Sequence, residues 1–245
     1  MIVPRHRAMQ RPDYMRWALL GALVAGLIVP FAIGGGTDIV ARAVAQKIGE
    51  ALGQSVVVDN KKGANGNIGM ELAAKAPPDG YTIIMTSSAL AINPSMYKDK
   101  GMGYDAVNDF MPVSLATLIP FILVVNSTLP VNSVKELAAL ARARKKELSY
   151  ASSGTGNATH LAMALLEMMT KIEMNHIPYK GTGQGITDVT GGHVQLMFGA
   201  IPSTMSAVRA RKLRVLAISS AQRSAVLPDV TTVAEAAVPG YELTS

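Results

Sequence analysis

The sequence predicts an α/β fold in which parallel sheets carry helices on both faces. From residue 33 onward, short apolar segments alternate with segments whose apolar residues recur at helical spacing. This alternation is typical of parallel strands joined by crossover helices. Corners rich in glycine, serine and threonine follow several predicted strands, as expected where a strand turns into a helix. With 245 residues, of which 49% are hydrophobic and 16% charged, the chain can bury a large core as one domain or two smaller ones.

In the first half of the chain, start and stop signals define the predicted elements. Thr37 and Asp38 are favourable N-cap residues for a helix over residues 39–52, which Gly53 ends. The next elements are predicted, in order, as a strand over 55–59, a glycine-rich turn over 63–69, a helix over 70–76, a turn over 77–80 and a strand over 81–86.

The second half repeats the same alternation. Ser133 and Glu136 have the spacing of a capping box, which predicts a helix over 133–145. The other elements are predicted as strands over 121–125 and ending at 150–151, a helix over 159–169, helical links over 186–190 and 202–210, and strands over 194–198 and 214–218.

Three corners of similar chemistry lie at residues 34–38, 86–93 and 152–160. Each follows a predicted strand and offers backbone N–H groups beside small hydroxyl or amide side chains. Ligands of open α/β sheets bind at the carboxyl ends of strands, and helix N-termini favour anions. The corners therefore predict a site for a polar, carboxylated small molecule. For the first corner alone, a tight turn that merely starts a helix fits about as well.

The sequence lacks the residue patterns of nucleotide-binding, catalytic, metal-binding and nucleic-acid-binding sites. The first corner has neither the lysine of a nucleotide phosphate loop nor the G-x-G-x-x-G spacing, and Ser152 and Ser153 lack the G-x-S-x-G elbow of hydrolases. The spacing of His160, His176 and His193 suits no metal site, and a surface or capping role is the default for His160. There is no cysteine, no nucleophile with an adjacent base, and no basic-aromatic interleaving typical of nucleic-acid binding. We expect a binding protein without a cofactor, a metal or enzymatic activity.

The amino terminus has the pattern of an export signal. Four arginines and one aspartate up to Arg16 carry +3 of the net charge of +6, and an uncharged apolar run follows up to Phe31. We expect residues 1–27 to be a signal peptide or an amino-terminal anchor, which predicts export to the periplasm. A spanning helix needs about 20 apolar residues, and Pro30 shortens this run, so a signal peptide is favoured over an anchor. A buried core helix is the alternative interpretation.

A series of short motifs occurs in a fixed order along the chain. They are IVPF at 28–31, GGGTD at 34–38, GNIG at 66–69, PDGYT at 78–82, INPSMY at 92–97, SSGTG at 152–156, HIPYKG at 176–181, GGHV at 191–194 and LPDV at 227–230. Each motif alone is a weak signal. Together, from about residue 28 to the last residue, the chain resembles the Bug/TctC-type substrate-binding proteins of tripartite tricarboxylate transporters.

This resemblance implies a fold like that of type II periplasmic binding proteins, with two α/β lobes joined by a two-strand hinge. Lobe 1 would span residues 28–120, with 222–245 returning to it, and lobe 2 would span 121–221. The hinge strands would be at 118–126 and 216–221. The lobes would close around a small carboxylate, such as a di- or tricarboxylate, an amino acid or an aromatic acid. The loaded protein would deliver it to the membrane permease subunits of a tripartite transporter.

The resemblance also implies a set of ligand contacts, made largely by main-chain N–H groups without an arginine clamp. Carried onto this sequence, they are Gly35, Gly36, Thr37 and Asp38 from the first corner, Ser87 and Ser88 from the second, and Ser153, Gly154, Thr155 and Asn157 from the third, with His160 nearby and Asp188 lining or supporting the cleft.

The sequence departs from the family pattern at both ends. Family members have a further strand segment before the motif at 28–31, a proline pair where Ala32 and Ile33 stand, and a tail beyond the motif at 238–242 that packs on lobe 1. We therefore expect a first lobe that is less stable than in complete members.

Two alternative functions stay open. One is a sensory or scavenging binding protein that serves a signalling partner, and the other is a truncated, nonfunctional relict.

Overall fold

The computed structural model describes residues 1–4 and 25–245 and divides into two compact units. The first comprises Met1–Ile33 and Thr37–Ala116, and the second comprises Gly34–Gly36 and Thr117–Ser245. Most of the predicted leader over 1–27 lies outside the described residues. Its last three residues belong to a strand that begins at Ala25. No helix within the described ranges is long and apolar enough to cross a bilayer.

The first unit is built on a five-stranded sheet. Its strands are β1 (Ile2–Pro4), β2 (Ala25–Val29), β3 (Val56–Asn60), β4 (Thr82–Ile84) and β5 (Phe110–Pro112), in the order β3-β2-β4-β1-β5. Its helices are α1 (Gly36–Leu52), α2 (Asn67–Ala74) and α3 (Ala89–Met96). Strand β2 runs parallel to β3 and β4, as predicted, whereas β1 is antiparallel to both of its neighbours. The strand at residues 2–4 was not predicted.

Alternate side chains of β2 build two cores in the first unit. Leu27 and Val29 point to the face covered by Ala41 of α1, and Ile28 points to the opposite face, against Met70 of α2. This is the period-two alternation of a strand with helices on both sides. The predicted α/β architecture is therefore confirmed for this unit.

The second unit has its own five-stranded sheet. Its strands are β6 (Phe121–Asn126), β7 (Ser149–Ser152), β8 (Asn175–Pro178), β9 (Leu196–Ala200) and β10 (Leu213–Ile218), in the order β10-β6-β9-β7-β8. Its helices are α4 (Val134–Ala143), α5 (Ala158–Thr170), α6 (Thr182–Gly191), α7 (Ile201–Arg209) and α8 (Val233–Ala236). Strands β7, β8 and β9 are parallel, but β6 is antiparallel to β9 and β10. The prediction of wholly parallel sheets was wrong here, because strand-helix alternation does not encode the direction of β6.

Residues 222–245 belong to the second unit, so the expected return of this segment to lobe 1 was wrong. Tyr241 is 1% exposed, and its ring stacks on Phe198 with 6.1 Å between centroids. The Tyr241 hydroxyl donates to the carbonyl of Ala162 at 2.8 Å, and Leu243 N–H donates to the carbonyl of Ser219. A large aromatic side chain that is buried and hydrogen bonded fixes the segment to this core. The proposed return crossing at 216–221 likewise stays within the second unit.

The predicted capping box is half correct. Ser133 Oγ accepts the backbone N–H of Glu136 at 3.2 Å, as predicted, but the Glu136 carboxylate accepts from Asn132 instead of Ser133. A complete capping box joins Thr232 and Glu235 at the start of α8. That short helix was not predicted, since four residues are too few to show helical periodicity.

Candidate functional site

The first corner lies at the start of α1, where Asp38 is anchored inside the protein. Asp38 is 1% exposed, and its carboxylate accepts from Asn60 Nδ2 at 2.9 Å and from Arg42 Nε at 3.1 Å. Helix α1 begins at Gly36, so Thr37 and Asp38 belong to its first turn and do not cap it, contrary to the prediction. A carboxylate held in this way orients the loop. It does not present its charge to a ligand.

The backbone of the first corner depends on Gly34, whose φ of 78° is a conformation that glycine adopts without strain. Gly35 is buried, while Gly36 and Thr37 are half-buried. The loop is thus accessible to a ligand at Gly36 and Thr37, whereas Gly35 is covered by the protein.

The second corner follows β4, the parallel neighbour of β2. Ser87 and Ser88 are half-buried, and Ser87 Oγ accepts the backbone N–H of Ala89 at the start of α3. The hydroxyl of Thr86 is buried and has no hydrogen-bond partner among the described residues. A buried hydroxyl left without a partner costs about 1–3 kcal/mol, so such groups often mark a place for a ligand or water. Thr86 was not among the predicted contacts, although the corner had been identified.

An amide network at the same edge of the first sheet holds the glycine-rich turn. Asn93 is fully buried, and its Nδ2 donates to the carbonyl of Asn65 at 3.0 Å and to Asn67 Oδ1 at 2.6 Å. Asn65 Nδ2 donates back to Asn93 Oδ1 at 2.8 Å, and Tyr104 donates its hydroxyl to Asn67. The motifs at 66–69 and 92–97 contained this signal, but their mutual contact is visible only in the fold.

The third corner follows β7 in the second unit and leads into α5. Asn157 is the N-cap of α5, where its Oδ1 accepts the backbone N–H of Thr159 at 3.2 Å. Ser153 Oγ lies 2.9 Å from Thr182 Oγ1 at the start of α6. Gly154 has a φ of 136°, which favours glycine. Ser153, Gly154, Thr155, Asn157 and His160 are thus brought together, and Thr182 joins them unpredicted.

Most backbone donors of the third corner are already used within the protein. Ser153 N–H donates to Thr159 Oγ1, and Gly154 N–H donates to Ser152 Oγ. Gly156 N–H donates to His160 Nδ1, and Asn157 N–H donates to the carbonyl of Gly154. Thr155 is exposed at the tip of this corner. Among the backbone N–H groups of residues 153–157, that of Thr155 is the one that has no hydrogen-bond partner among the described residues. Instead of the many free main-chain donors expected at this corner, the N–H of Thr155 is the one left for a ligand.

His160 and His176 form an aromatic stack beneath the corner, and the ring of Tyr150 packs against both of them. The two imidazole rings lie 4.0 Å apart, and Tyr150 lies 5.0 Å from His176. Burial, together with the neighbouring His160, lowers the pKa of His176 to about 4, and burial also lowers the pKa of His160. Of the surface or capping role predicted for His160, the capping part agrees with the bond from Gly156 N–H to its Nδ1, whereas the ring is half-buried in the stack and does not lie free on the surface.

Ser152 and His176 form a serine-histidine contact that the sequence did not predict. Ser152 Oγ lies 2.6 Å from His176 Nε2, the distance expected of a nucleophile and its base. Ser152, however, is 0% exposed, and its oxygen is also hydrogen bonded to Gly154. A substrate cannot reach this oxygen in the present arrangement, so the contact supports the corner structurally.

Asp188 is held by Tyr179 in the second unit. The Tyr179 hydroxyl donates to Asp188 Oδ2 at 2.5 Å, and burial with this carboxylate raises the pKa of Tyr179 to about 12. The carbonyl of Asp188 accepts from the backbone of His193. This geometry suits a role for Asp188 in supporting the site.

Across the described ranges, no three histidine or acidic side chains come together as a metal site.

Comparison with known sequences gives consistent matches. A model of the tripartite tricarboxylate transporter family receptor (TctC) matches residues 40–245. The UPF0065 protein in the tcbD-tcbE intergenic region of Pseudomonas sp. strain P51 is 39% identical over 217 residues, which cover 88% of this chain and 64% of that protein. BugT of Bordetella pertussis is 37% identical, with 88% and 66% covered. The chain therefore spans about two thirds of the length of these relatives.

Solved structures of similar proteins have the same fold. An R. palustris protein solved with adipate has a TM-score of 0.87 and 40% identity, with 90% of this chain and 74% of that chain covered. The periplasmic binding protein BugD has a TM-score of 0.84 and 35% identity, with 90% and 73% covered. MatC from Rhodopseudomonas palustris, with bound malate, has a TM-score of 0.80 and 30% identity, with 90% and 75% covered.

Proposed function

Because this chain belongs to the tripartite tricarboxylate transporter receptor family, we propose that it is a periplasmic receptor that binds a small carboxylate. The loaded receptor would deliver its ligand to the membrane permease subunits of a tripartite transporter. The protein acts by binding and release, without a cofactor and without chemical conversion.

The observation that carries this proposal is the donor set of the third corner. The N–H of Thr155, an exposed residue, lies before the amino terminus of α5, and the hydroxyls of Ser153 and Thr182 lie 2.9 Å apart in the same corner. A carboxylate accepts hydrogen bonds from such groups, and the positive end of a helix dipole favours its charge. Residues 152–160 contain no acidic side chain that would repel it.

The first unit offers a second group of donors of the same kind. Thr86, Ser87 and Ser88 lie at the carboxyl end of β4, beside the end of its parallel partner β2. We propose as ligand contacts Gly36, Thr37, Thr86, Ser87, Ser88, Ser153, Thr155, Asn157 and Thr182, while Gly35, which is buried, and Gly154, whose N–H donates to Ser152 Oγ, shape the two corners. Asp38, His160 and Asp188 act as positioning residues, because their polar atoms are bound to other protein groups.

The solved relatives support a dicarboxylate as the ligand class. The R. palustris protein was solved with adipate and MatC with malate, both of which are small dicarboxylates. Adipate is therefore the first probe for this chain. Its diamide has nearly the same length and shape but carries no charge.

A ligand screen on the purified chain tests the proposal. Thermal shift is measured with a panel of mono-, di- and tricarboxylates, amino acids and aromatic acids, each beside its neutral amide. We expect at least one carboxylate to raise the unfolding temperature while its amide does not. A panel without shifts, or equal shifts with acids and amides, would contradict a carboxylate receptor. Turnover of any ligand would contradict the non-enzymatic role.

Two hydroxyl deletions locate the site. Ser153→Ala and Thr182→Val each disrupt a hydroxyl pair in which one O–H donates to its neighbour and the other is left for the ligand. One hydrogen bond to a charged group is worth about 1.5–3 kcal/mol, so affinity should fall about tenfold or more. Ser206→Ala, at an exposed position of α7, is the matched control and should leave affinity unchanged.

A further inference from the structure

One edge of the second sheet carries an unusual concentration of positive charge. Eight exposed lysine and arginine side chains lie in three short segments that precede β7, β8 and β10. We call this surface the basic edge, and its residues are Arg142, Arg144, Lys145, Lys146, Lys171, Arg209, Arg211 and Lys212.

Main-chain hydrogen bonds join these segments into one continuous surface. Lys146 N–H donates to the carbonyl of Glu173 at 3.3 Å, which ties the segment before β7 to the segment before β8. Gln195 N–H donates to the carbonyl of Ser149, which joins the segment before β9 to the start of β7. Asn126 N–H at the end of β6 donates to the carbonyl of Gln195, and Ser127 N–H donates to the carbonyl of Lys212 before β10. These three bonds are 2.8–3.1 Å long. The basic edge thus spans all five strands, roughly 20 Å at the usual strand spacing.

The charge on this surface is poorly balanced. Within the same segments only Glu147 and Glu173 are acidic, and Glu173 lies 3.5 Å from Lys146. Eight basic against two acidic side chains leave an excess of six positive charges. The net charge of the whole chain is also +6, so the basic edge holds an excess equal to the total.

Helix dipoles explain only part of this excess. The carboxyl ends of α4, α5 and α7 point to this edge, and a cation at each end is favourable. Arg142, Arg144, Lys171 and Arg209 have those positions. The other four basic side chains lie beyond the helix ends, where the helix dipoles do not account for them.

The basic edge is at the opposite end of the sheet from the third corner. Its segments precede the parallel strands β7 and β8, whereas residues 152–160 and Thr182 follow them. A partner bound to the basic edge therefore leaves the carboxylate donors of this unit uncovered.

We propose that the basic edge binds the surface of an anionic lipid bilayer. The side chains are long, exposed and spread over a broad surface, and Ile172 is the one large apolar residue among residues 142–147, 170–173 and 209–212, where it is buried. Protein interfaces instead concentrate exposed aromatic and large apolar anchors at their centre. Dispersed lysine and arginine clusters are typical of binding to anionic lipid headgroups. Such binding would hold the receptor at the membrane with its candidate ligand corner facing away.

Vesicle co-sedimentation of the full chain tests this proposal. Vesicles of phosphatidylcholine alone are compared with vesicles containing 30% phosphatidylglycerol, at low and high salt. The variant R144Q/K145Q/R211Q/K212Q removes four charges whose side chains make no hydrogen bond or ion pair with the described part of the chain. The matched control K62Q/K98Q/K135Q/K180Q removes four exposed charges outside the basic edge, and these side chains likewise make no ion pair within the described ranges. All three proteins share the same amino-terminal segment, so their differences isolate the basic edge.

We expect binding that requires phosphatidylglycerol, falls with salt, and weakens about a hundredfold in the basic-edge variant but far less in the control. Equal weakening of both variants, or binding independent of phosphatidylglycerol, would overturn the proposal. Capture of poly-glutamate by the basic edge without binding to anionic vesicles would overturn it in favour of an acidic protein partner.

Discussion

The imidazole rings of His160 and His176 stack 4.0 Å apart beneath the serine-rich corner of the second unit, and each ring contacts the corner by a different hydrogen bond. His160 Nδ1 accepts the backbone N–H of Gly156, which requires this nitrogen to be unprotonated. His176 Nε2 lies 2.6 Å from Ser152 Oγ. The backbone of the corner is therefore shaped by two histidines that are neutral in the folded protein.

This pair predicts a loss of stability in mild acid. The pKa of His176 is lowered by burial and by His160 to about 4 in the folded state, whereas an unfolded histidine titrates near 6.5. Between about pH 6.5 and pH 4 the unfolded chain binds the extra proton, so the free energy of unfolding should fall as the pH falls through this window.

Urea unfolding from pH 7.5 to pH 4.5 measures this effect against His176→Gln. Burial raises the pKa of Glu167, which has the opposite influence in part of the same range, so the wild type must be compared with the variant. The variant should show a shallower loss of stability, and His193→Gln, at an exposed position outside the stack, should behave as wild type. Parallel pH profiles for wild type and His176→Gln would contradict the role of the stack.

Gly154 and Gly183 provide a matched pair of glycine substitutions. Gly154 has a φ of 136°, so Gly154→Ala should cost about 1–3 kcal/mol of unfolding free energy through backbone strain. Gly183 lies in α6 with open space around its Cα, so Gly183→Ala should be neutral or stabilise by up to about 1 kcal/mol. Equilibrium denaturation compares the two. An equal cost at both positions would show that the corner does not need the glycine conformation.

Asn93 is expected to support the first unit through its amide network. Asn93→Ala leaves the side chains of Asn65 and Asn67 without their buried partner, which should cost about 2–3 kcal/mol. Asn132→Ala, at an exposed position, should change stability by less than about 0.5 kcal/mol. The measurement is urea unfolding followed by circular dichroism, and a cost below about 1 kcal/mol for Asn93→Ala would contradict this role.

Tyr241 tests where the last residues of the chain belong. Tyr241→Ala removes a buried ring that stacks on Phe198, and such truncations cost about 3–5 kcal/mol. Tyr241→Phe removes only the hydrogen bond to Ala162 and should cost about 1–2 kcal/mol. Amide hydrogen exchange should show the loss of protection in the second unit. A loss of amide protection confined to the first unit would instead support the expected return of residues 222–245 to lobe 1.

The sequence was most informative where periodicity was strong, and least informative where distant residues meet. Strand β6 consists of five apolar residues followed by Asn126, and all six are buried, so its position was predicted within one residue. His176 was not recognised as a partner of His160, because their contact depends on the parallel register that places Tyr150 opposite His176. The local pattern predicts Asp38 as a helix cap, since nothing in it shows that Asn60 and Arg42 bind the Asp38 carboxylate inside the first turn of α1.

The binding of adipate and its diamide by isothermal titration calorimetry tests the central claim most directly. If the donors around Thr155, Ser153 and Thr182 bind a carboxylate, adipate or another dicarboxylate of the panel should bind saturably with one site per chain. The diamide should bind at least about a hundredfold more weakly, because hydrogen bonds to a charged acceptor are about twice as strong as neutral ones. Equal binding of acid and amide, or heats indistinguishable from dilution for every carboxylate tested, would contradict the account.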